Sequence, residues 1–297
     1  VAGNINCPVA TAHAAVYYAI IAVTDPHVPP NSGCYRPVTV RAREGLIVNP
    51  RMPAAVAART NTSQKIVEAM MKAFAQVVPD RVMAGCHGQI STLGFSGFHP
   101  RTGRRFVYTD IQGGGAGGRP YRDGRDGQDS HLARFMNTPI EAAELEYPVR
   151  IERYEFIPDS GGAGKFRGGL SPRRDIRILT DTMTLARYGD RQEFPPFGLL
   201  GGKDGLPGRF ILNPETPQER RLKAKGLETF RKDDVISIRL PGAGGYGDPL
   251  ERDLSLLEQD VRDGKVSLEA ARRDYQVVMN PETCLVDREA TARLRAG

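Results

Sequence analysis

Glycine and proline set the first limit on what this chain can fold into. They number 33 and 22 of 297 residues, follow no repeating period, and the glycines gather at Gly113 to Gly118, Gly161 to Gly169, Gly198 to Gly202 and Gly242 to Gly247. Glycine weakens the interior of a helix or strand and proline ends it. Regular structure must therefore come in many short pieces joined by turns. Hydrophobic residues make up 40% and charged residues 26%, ordinary globular usage that rules out a collagen-like, coiled-coil or wholly disordered chain. No apolar run reaches the roughly 18 residues of a membrane span. The longest stretch, Ala10 to Val23, is broken by Thr11 and His13 and reads as a buried helix.

Pattern reading places a first helix over Thr11 to Val23 and a second over residues 61–78, capped by Asn61, Thr62 or Ser63 and stopped by Pro79. On the second, Ile66, Met70, Phe74 and Val78 fall at helical spacing, with Val67 and Met71 beside them. A further helix is expected over 137–147, with Asn137 at its cap and Pro139 in its first turn. Strands are expected at Val38 to Arg41, Arg105 to Gln112, Val149 to Ile157, Ile176 to Leu179, Met183 to Arg187, Phe210 to Asn213 and Val235 to Leu240. Beyond Pro249 the pattern turns helical: Asp253 caps a helix ending near Gly264, Ser267 caps another to Tyr275, and Asp287 to Arg295 forms a third. The expected fold is mixed α/β (α+β): a β-rich, loop-rich central region with flanking helices and a helical C-terminal tail. The boundary falls between residues 1–250 and 251–297.

The net charge of +6 is spread along the chain without a basic arm or block, and tryptophan is absent. A nucleic-acid binder needs a concentrated basic face, so that class is set aside. Cys7, Cys34, Cys86 and Cys284 lie at least 27 positions apart, which excludes zinc-ribbon and redox CxxC spacing and suits free thiols in a reducing cytoplasm.

Several segments imitate known motifs and fail on context. Gly113–Gly118 and Gly242–Gly247 both satisfy GxGxxG, yet Arg119-Pro120 and Asp248-Pro249 follow where a helix should open. Gly164-Lys165 suggests a phosphate loop, but Asp159 and Phe166 occupy the decisive positions. Tight turns and close backbone approach explain these glycines best. An oxyanion- or phosphate-cradling loop at Gly113–Gly118 stays open beside that reading. Asp123 to His131 packs Asp123, Asp126, Asp129 and His131 into nine residues. Ordinary Asp-Gly turns, a substrate-contacting loop and a metal site are its three readings. His87 suits either proton transfer or a structural hydrogen bond. Arg191 suits either a substrate anion or an internal ion pair.

An ordered series of segments resembles the hydantoinase B/5-oxoprolinase family. It includes Gly33-Cys34-Tyr35-Arg36-Pro37, Arg59 with Thr62-Ser63-Gln64, His87-Gly88, Gly113-Gly114-Gly115 and Asp123-Gly124 with Asp126-Gly127. It continues through Asn137-Thr138-Pro139-Ile140-Glu141, Asp159 to Gly164, Arg167-Gly168-Gly169, Asp190-Arg191 and Pro241 to Pro249, ending at Asp263 to Ser267. The resemblance implies part of a B-type subunit of an ATP-dependent cyclic-amide hydrolase, opening hydantoin, 5-oxoproline or lactam rings. A hydantoinase A-type partner would bind the ATP. A ketone carboxylase subunit and a non-catalytic scaffold are the alternatives.

Such subunits are about twice this length. Their front half carries a His-x-x-Asp and a further histidine segment, absent here, so the resemblance places this chain as the rear half and any divalent metal with ligands outside it. His87, Asp126, His131 and Arg191 are the candidate catalytic residues. Gly113, Gly114, Gly115 and Asn137 are the candidate substrate contacts, and no metal ligand is assigned. The expected assembly is a cytoplasmic hetero-oligomer that binds a small molecule and neither nucleic acid nor membrane.

Overall fold

The computed structural model of the chain describes residues 3–296. Its centre is a pair of antiparallel sheets. One contains β1 (Ser91–Phe98), β2 (Arg105–Gln112), β5 (Thr182–Tyr188) and β8 (Lys225–Arg231) in the order β2-β1-β5-β8. The other contains β3 (Val149–Phe156), β4 (Pro172–Ile178), β6 (Arg209–Leu212), β7 (Arg220–Leu222) and β9 (Val235–Arg239) in the order β3-β4-β9-β6-β7. Alternate residues of both turn into one core: Leu93, Phe95, Met183, Leu185 and Phe230 from the first, Ile176, Ile178, Phe210, Ile236 and Ile238 from the second. A buried ion pair crosses between the sheets, with Arg174 Nη1 2.9 and 3.0 Å from the Asp110 carboxylate oxygens. Both residues are 1% exposed, so the pair is fixed by mutual need: either charge left alone there would be strongly unfavourable.

The helices flank this centre. They are α1 (Val9–Thr24), the single-turn α2 (Ser32–Tyr35), α3 (Arg59–Phe74), α4 (Ile140–Glu146), α5 (Leu254–Arg262), α6 (Leu268–Tyr275) and α7 (Arg288–Ala296). Helix α1 buries the stripe Ala12, Ala15, Ala19 and Val23. The small residues let α3 approach closely, where Val67 and Met71 complete the contact. Asp253 and Ser267 cap α5 and α6 as expected. Other expectations shift. Residues 38–41 form no strand, since nothing pairs with them. Helix α3 starts at Arg59 without a side-chain cap, which places Asn61 inside the helix. Helix α4 starts only at Ile140, and the Asn137 side chain meets Tyr154 on β3 instead of capping it. Strands β1, β7 and β8 were not expected; Ser91–Phe98 contains two glycines and two serines where β-branched residues would normally advertise a strand.

The glycine-rich segments form neither helix nor ladder. They run beside one another as an irregular bundle in which each extended piece hydrogen-bonds to several others. One cross-section closes a circuit: Ala84 N donates to Gly118 O (2.9 Å), Gly118 N to Gly244 O (2.9 Å), and Gly244 N to Gly85 O (2.8 Å). Another runs from Gly169 N to Ala116 O (2.9 Å) and from Ala243 N to Gly169 O (3.0 Å). A Cβ at Gly117 would overlap the Ala84 carbonyl oxygen, and one at Gly242 would overlap that of Ser160. The backbone carbonyls thus sit where side chains would be, and close approach, more than turning, explains the clustering.

The C-terminal helices dock on this bundle. Arg252, 3% exposed, bonds Asp123 (2.8 Å to each oxygen) and Asp260 (2.6 Å), while Arg167 reaches Asp126 at 3.1 Å and Asp260 at 3.5 Å. Leu257, Val266, Ala271 and Tyr275 close an apolar cluster that includes Ala163 of the bundle.

Replacing Gly117 with Ala should lower stability by about 3 kcal/mol or more, because the new methyl meets fixed backbone. Gly94→Ala, whose Cβ would meet only the Ala186 methyl at 3.7 Å, should stay within about 1 kcal/mol. Thermal denaturation of the two variants against the parent checks this.

Candidate functional site

A buried segment of the bundle carries Cys86, His87 and Gly88 against α3, just ahead of β1. Backbone bonds fix it: His87 N donates to Gly115 O at 2.9 Å. Gly88 adopts φ +59°, and its missing side chain leaves room for the Glu68 carboxylate, which a Cβ would strike. Helix α3 turns Asn61, Gln64 and Glu68 inward at i, i+3 and i+7, and all three are buried. A helix that buries a polar stripe must supply partners for it. Gln64 finds its own in the Ser130–Leu132 backbone, with Nε2 donating to Ser130 O (3.2 Å) and Oε1 accepting from Leu132 N (3.5 Å). This clamp holds His131 at the unusual φ of 21°.

The His87 ring is fully buried. Its Nδ1 lies 3.4 Å from Gly115 O and its Nε2 lies 3.5 Å from Ser130 Oγ. With Nδ1 protonated toward the carbonyl, Nε2 is left as an acceptor for the serine hydroxyl. Burial lowers the His87 pKa to about 4; the Gly115 carbonyl and Glu68 oppose this, while Lys65 and His131 reinforce it. Burial also lowers His131 to about 4, with Lys65 adding to the effect. Tyr18 of α1 sets its ring edge-on to His131, with centroids 5.9 Å apart. Cys86 is a poor nucleophile, since burial pushes its thiol up to about 12. All four cysteines are free.

Glu68 is the electrostatic hub. It pairs with Arg191, which follows β5, and with Lys65 at 3.2 Å. Lys65 also reaches Asp190 at 3.6 Å. Arg191 adopts φ +54° and anchors Nη1 on Pro195 O at 3.3 Å. Asn61 Nδ2, Glu68 Oε1, His131 Nδ1 and Arg191 Nε are buried without a hydrogen-bond partner among the described residues. Such atoms also occur in the Arg174 and Arg252 ion pairs; what sets this place apart is that they meet two buried imidazoles of lowered pKa. Beside them a mostly apolar cleft of about 410 Å³ is lined by Ile5, Ile47, Asn61, Lys65, Ile66 and Asp190.

Of the residues singled out from the sequence, the structure brings together His87, His131 and Arg191. Gly114 and Gly115 join them as support: a Cβ on Gly114 would strike the His87 side chain, and Gly115 O receives the His87 amide. The Gly115 N–H is already directed at Pro241 O, 3.2 Å away. Gly113 packs on the Gln128–Asp129 backbone. Asp126 lies in the ion network under the C-terminal helices, accepting from Leu170 N (2.7 Å) and Arg167 (3.1 Å). Asn137 is exposed. Sequence reasoning missed Asn61, Gln64, Glu68 and Ser130. The signal for the first three is their helical spacing on the face of Val67 and Met71, a polar stripe on a face that should be apolar.

The two depressed imidazoles give the fold an acid-sensitive window. Between pH 6.5 and 4 the unfolded chain takes up protons at these rings that the folded chain refuses. Stability therefore rises with pH across the window and is lost as pH falls toward 4, with no contribution from these rings above 6.5. Denaturant unfolding from pH 7 to 4 should show a loss on the order of 3 kcal/mol per histidine. His131→Gln should show a shallower slope.

The Hydantoinase B/oxoprolinase family profile matches residues 1–249. An uncharacterised protein of Methanocaldococcus jannaschii is 38% identical over 287 residues, covering 95% of this chain and 49% of its own length. The caprolactamase beta subunit of Pseudomonas jessenii is 34% identical over 292 residues, 95% of this chain and 50% of that subunit. The crystal structure of that ATP-dependent caprolactamase superposes with a TM-score of 0.84 at 29% identity, over 99% of this chain and 52% of that one. Arabidopsis thaliana 5-oxoprolinase 1 is 31% identical over 248 residues, 82% of this chain and 18% of its own. A nucleotide-free acetone carboxylase shares the fold, with a TM-score of 0.76 at 19% identity over 99% of this chain and 44% of its own. The chain spans about half the length, or less, of the curated relatives it matches. On the length of the profile match and the identity to these relatives, the chain belongs to the hydantoinase B/oxoprolinase family.

Proposed function

We propose that this chain is part of the B-type subunit of an ATP-dependent cyclic-amide hydrolase, working with an ATP-binding hydantoinase A-type partner in the cytoplasm. The observation that carries this reading is the superposition of nearly the whole chain on the ATP-dependent caprolactamase. The polar cluster on α3 adds a chemically suitable place. A ring amide is a poor electrophile, and ATP would convert its oxygen into a phosphate leaving group. Water then adds over a lower barrier than in plain amide hydrolysis, the ring nitrogen leaves, and a second water would hydrolyse the resulting acyl phosphate to carboxylate and phosphate. What this chain would supply is a buried, neutral imidazole able to take a proton from water and return it to the departing nitrogen.

His87 is the proposed proton carrier, passing the proton through the Ser130 hydroxyl at its Nε2. His131 and Arg191 are its proposed neighbours, and the apolar cleft between Ile5, Ile47 and Ile66 is the proposed seat of the ring's methylene face. Gly114 and Gly115 would act by seating His87, and Asp126 by holding Arg167. Among the described residues no three His, Cys, Asp or Glu side chains converge as a metal-ligand set; the divalent metal expected for the complete subunit would take its ligands from outside this chain.

In the assembled complex His87→Ala should reduce turnover by about 10² or more with assembly intact. Unchanged turnover would remove His87 from the chemistry and favour a scaffolding role. Ring opening should proceed without bicarbonate; an absolute bicarbonate requirement would make the complex a ketone carboxylase instead.

A further inference from the structure

The two sheets differ in what they show outward. On the five-stranded sheet the outer face is charged and closed on itself. Arg173 bonds Asp175 at 2.7 Å, Glu215 receives Arg153 at 3.1 Å and Arg173 at 2.9 Å, and Arg177 pairs with Glu152. This is a face made for water.

The four-stranded sheet turns a different surface outward. Its register aligns three rows across the strands: Ile111–Thr92–Tyr188–Lys225, Thr109–Gly94–Ala186–Leu227 and Val107–Ser96–Thr184–Thr229. Lys225 is the one charge among them. Thr184 and Thr229 hydrogen-bond to each other at 2.9 Å, while Val107 is 60% and Leu227 74% exposed. The next row out, Arg105–Phe98, has Phe98 66% exposed, and the far corner is Arg231. The face is thus neutral and small-residued at its centre, basic at three corners and free of carboxylates. At normal strand spacing the three rows span about 14 Å each way, wide enough to seat a helix about 10 Å across. A neutral outer face of this extent, opposite one saturated with ion pairs, has the composition of an interface core.

We infer that this face is where the half of the full-length relatives that has no counterpart in this chain docks. Relatives matched over 95% of this chain are matched over only 49% and 50% of their own length, so as much polypeptide again belongs to the same subunit. The face also runs into the candidate site: Lys225, its corner, lines the cleft that holds Lys65, Asn61 and Asp190. A body seated on the sheet would meet these corners with acidic groups and roof the cleft. The inference rests on family membership and on the two outer faces, and does not depend on which reaction the complex performs.

The test expresses this chain and the polypeptide from the same source that aligns with the unmatched half of the caprolactamase beta subunit as two separately tagged proteins. Their dissociation constant is then measured. The parent pair should associate, and Leu227→Glu should weaken it by tenfold or more. Thr109→Glu, on the far strand of the same face, should do likewise and serves if the first variant fails to fold. Arg177→Ala, on the other sheet, should stay within about threefold. Affinity unchanged in both face variants would overturn the inference. So would failure of the parent pair to associate, or a homodimer of this chain that Leu227→Glu dissolves.

Discussion

The contact between a glycine and the carbonyl oxygen of another segment governs this molecule. Every cross-section of the bundle depends on backbones lying closer than any side chain would permit, and the hydrogen-bond circuits through Gly118, Gly169 and Gly244 exist only because of that spacing. Such a core gains little from the hydrophobic effect, since glycine offers almost no apolar area. It gains instead from satisfying many backbone groups in a dry interior, where an unmade bond is costly. The β-sandwich and the two apolar clusters under the helices supply the burial that the bundle lacks.

That division of labour explains where the candidate site lies. His87 is carried on a bundle segment whose backbone has no freedom, while Glu68, Gln64 and Asn61 come from a helix that leans on α1 through Val67 and Met71. The imidazole is therefore held from one side by backbone and from the other by side chains. Its proton affinity is set by the dry setting first and by the surrounding charges second. At the opposite end the Arg252 and Arg167 network fastens the C-terminal helices to the same bundle, with Asp123 and Asp126 held in its ion pairs.

Much of this was legible in the sequence. β2, β3, β5, β9 and the capped helices α5 and α6 announce themselves through alternation or through Asp and Ser at their starts. β1 does not, because its outer face is built of Thr92, Gly94 and Ser96, residues that read as loop. His87, His131 and Arg191 were recognisable as reactive types, yet their convergence was invisible: it depends on Gln64 clamping a loop 66 residues away. Glu68 looked like one more solvated charge on an amphipathic helix. Only the packing of Gly88 against its carboxylate reveals a buried hub. The glycine runs pointed correctly to close backbone approach, but no local pattern tells which run lies against which.

A core made of main chain also limits how such an architecture can diversify. Ordinary proteins retune a pocket by exchanging one buried side chain for another of different bulk, and the surrounding rotamers absorb the change. Where the bundle's glycines meet, backbone faces backbone with few rotamers to absorb a change, and Gly114 sits directly against His87. Under the proposed function, new ring sizes or carbonyl types would therefore be accommodated from the α3 side and from the Ile5 and Ile47 wall of the cleft. The proposed chemistry would then stay anchored to a fixed floor of main chain, with adaptation confined to the opposite wall.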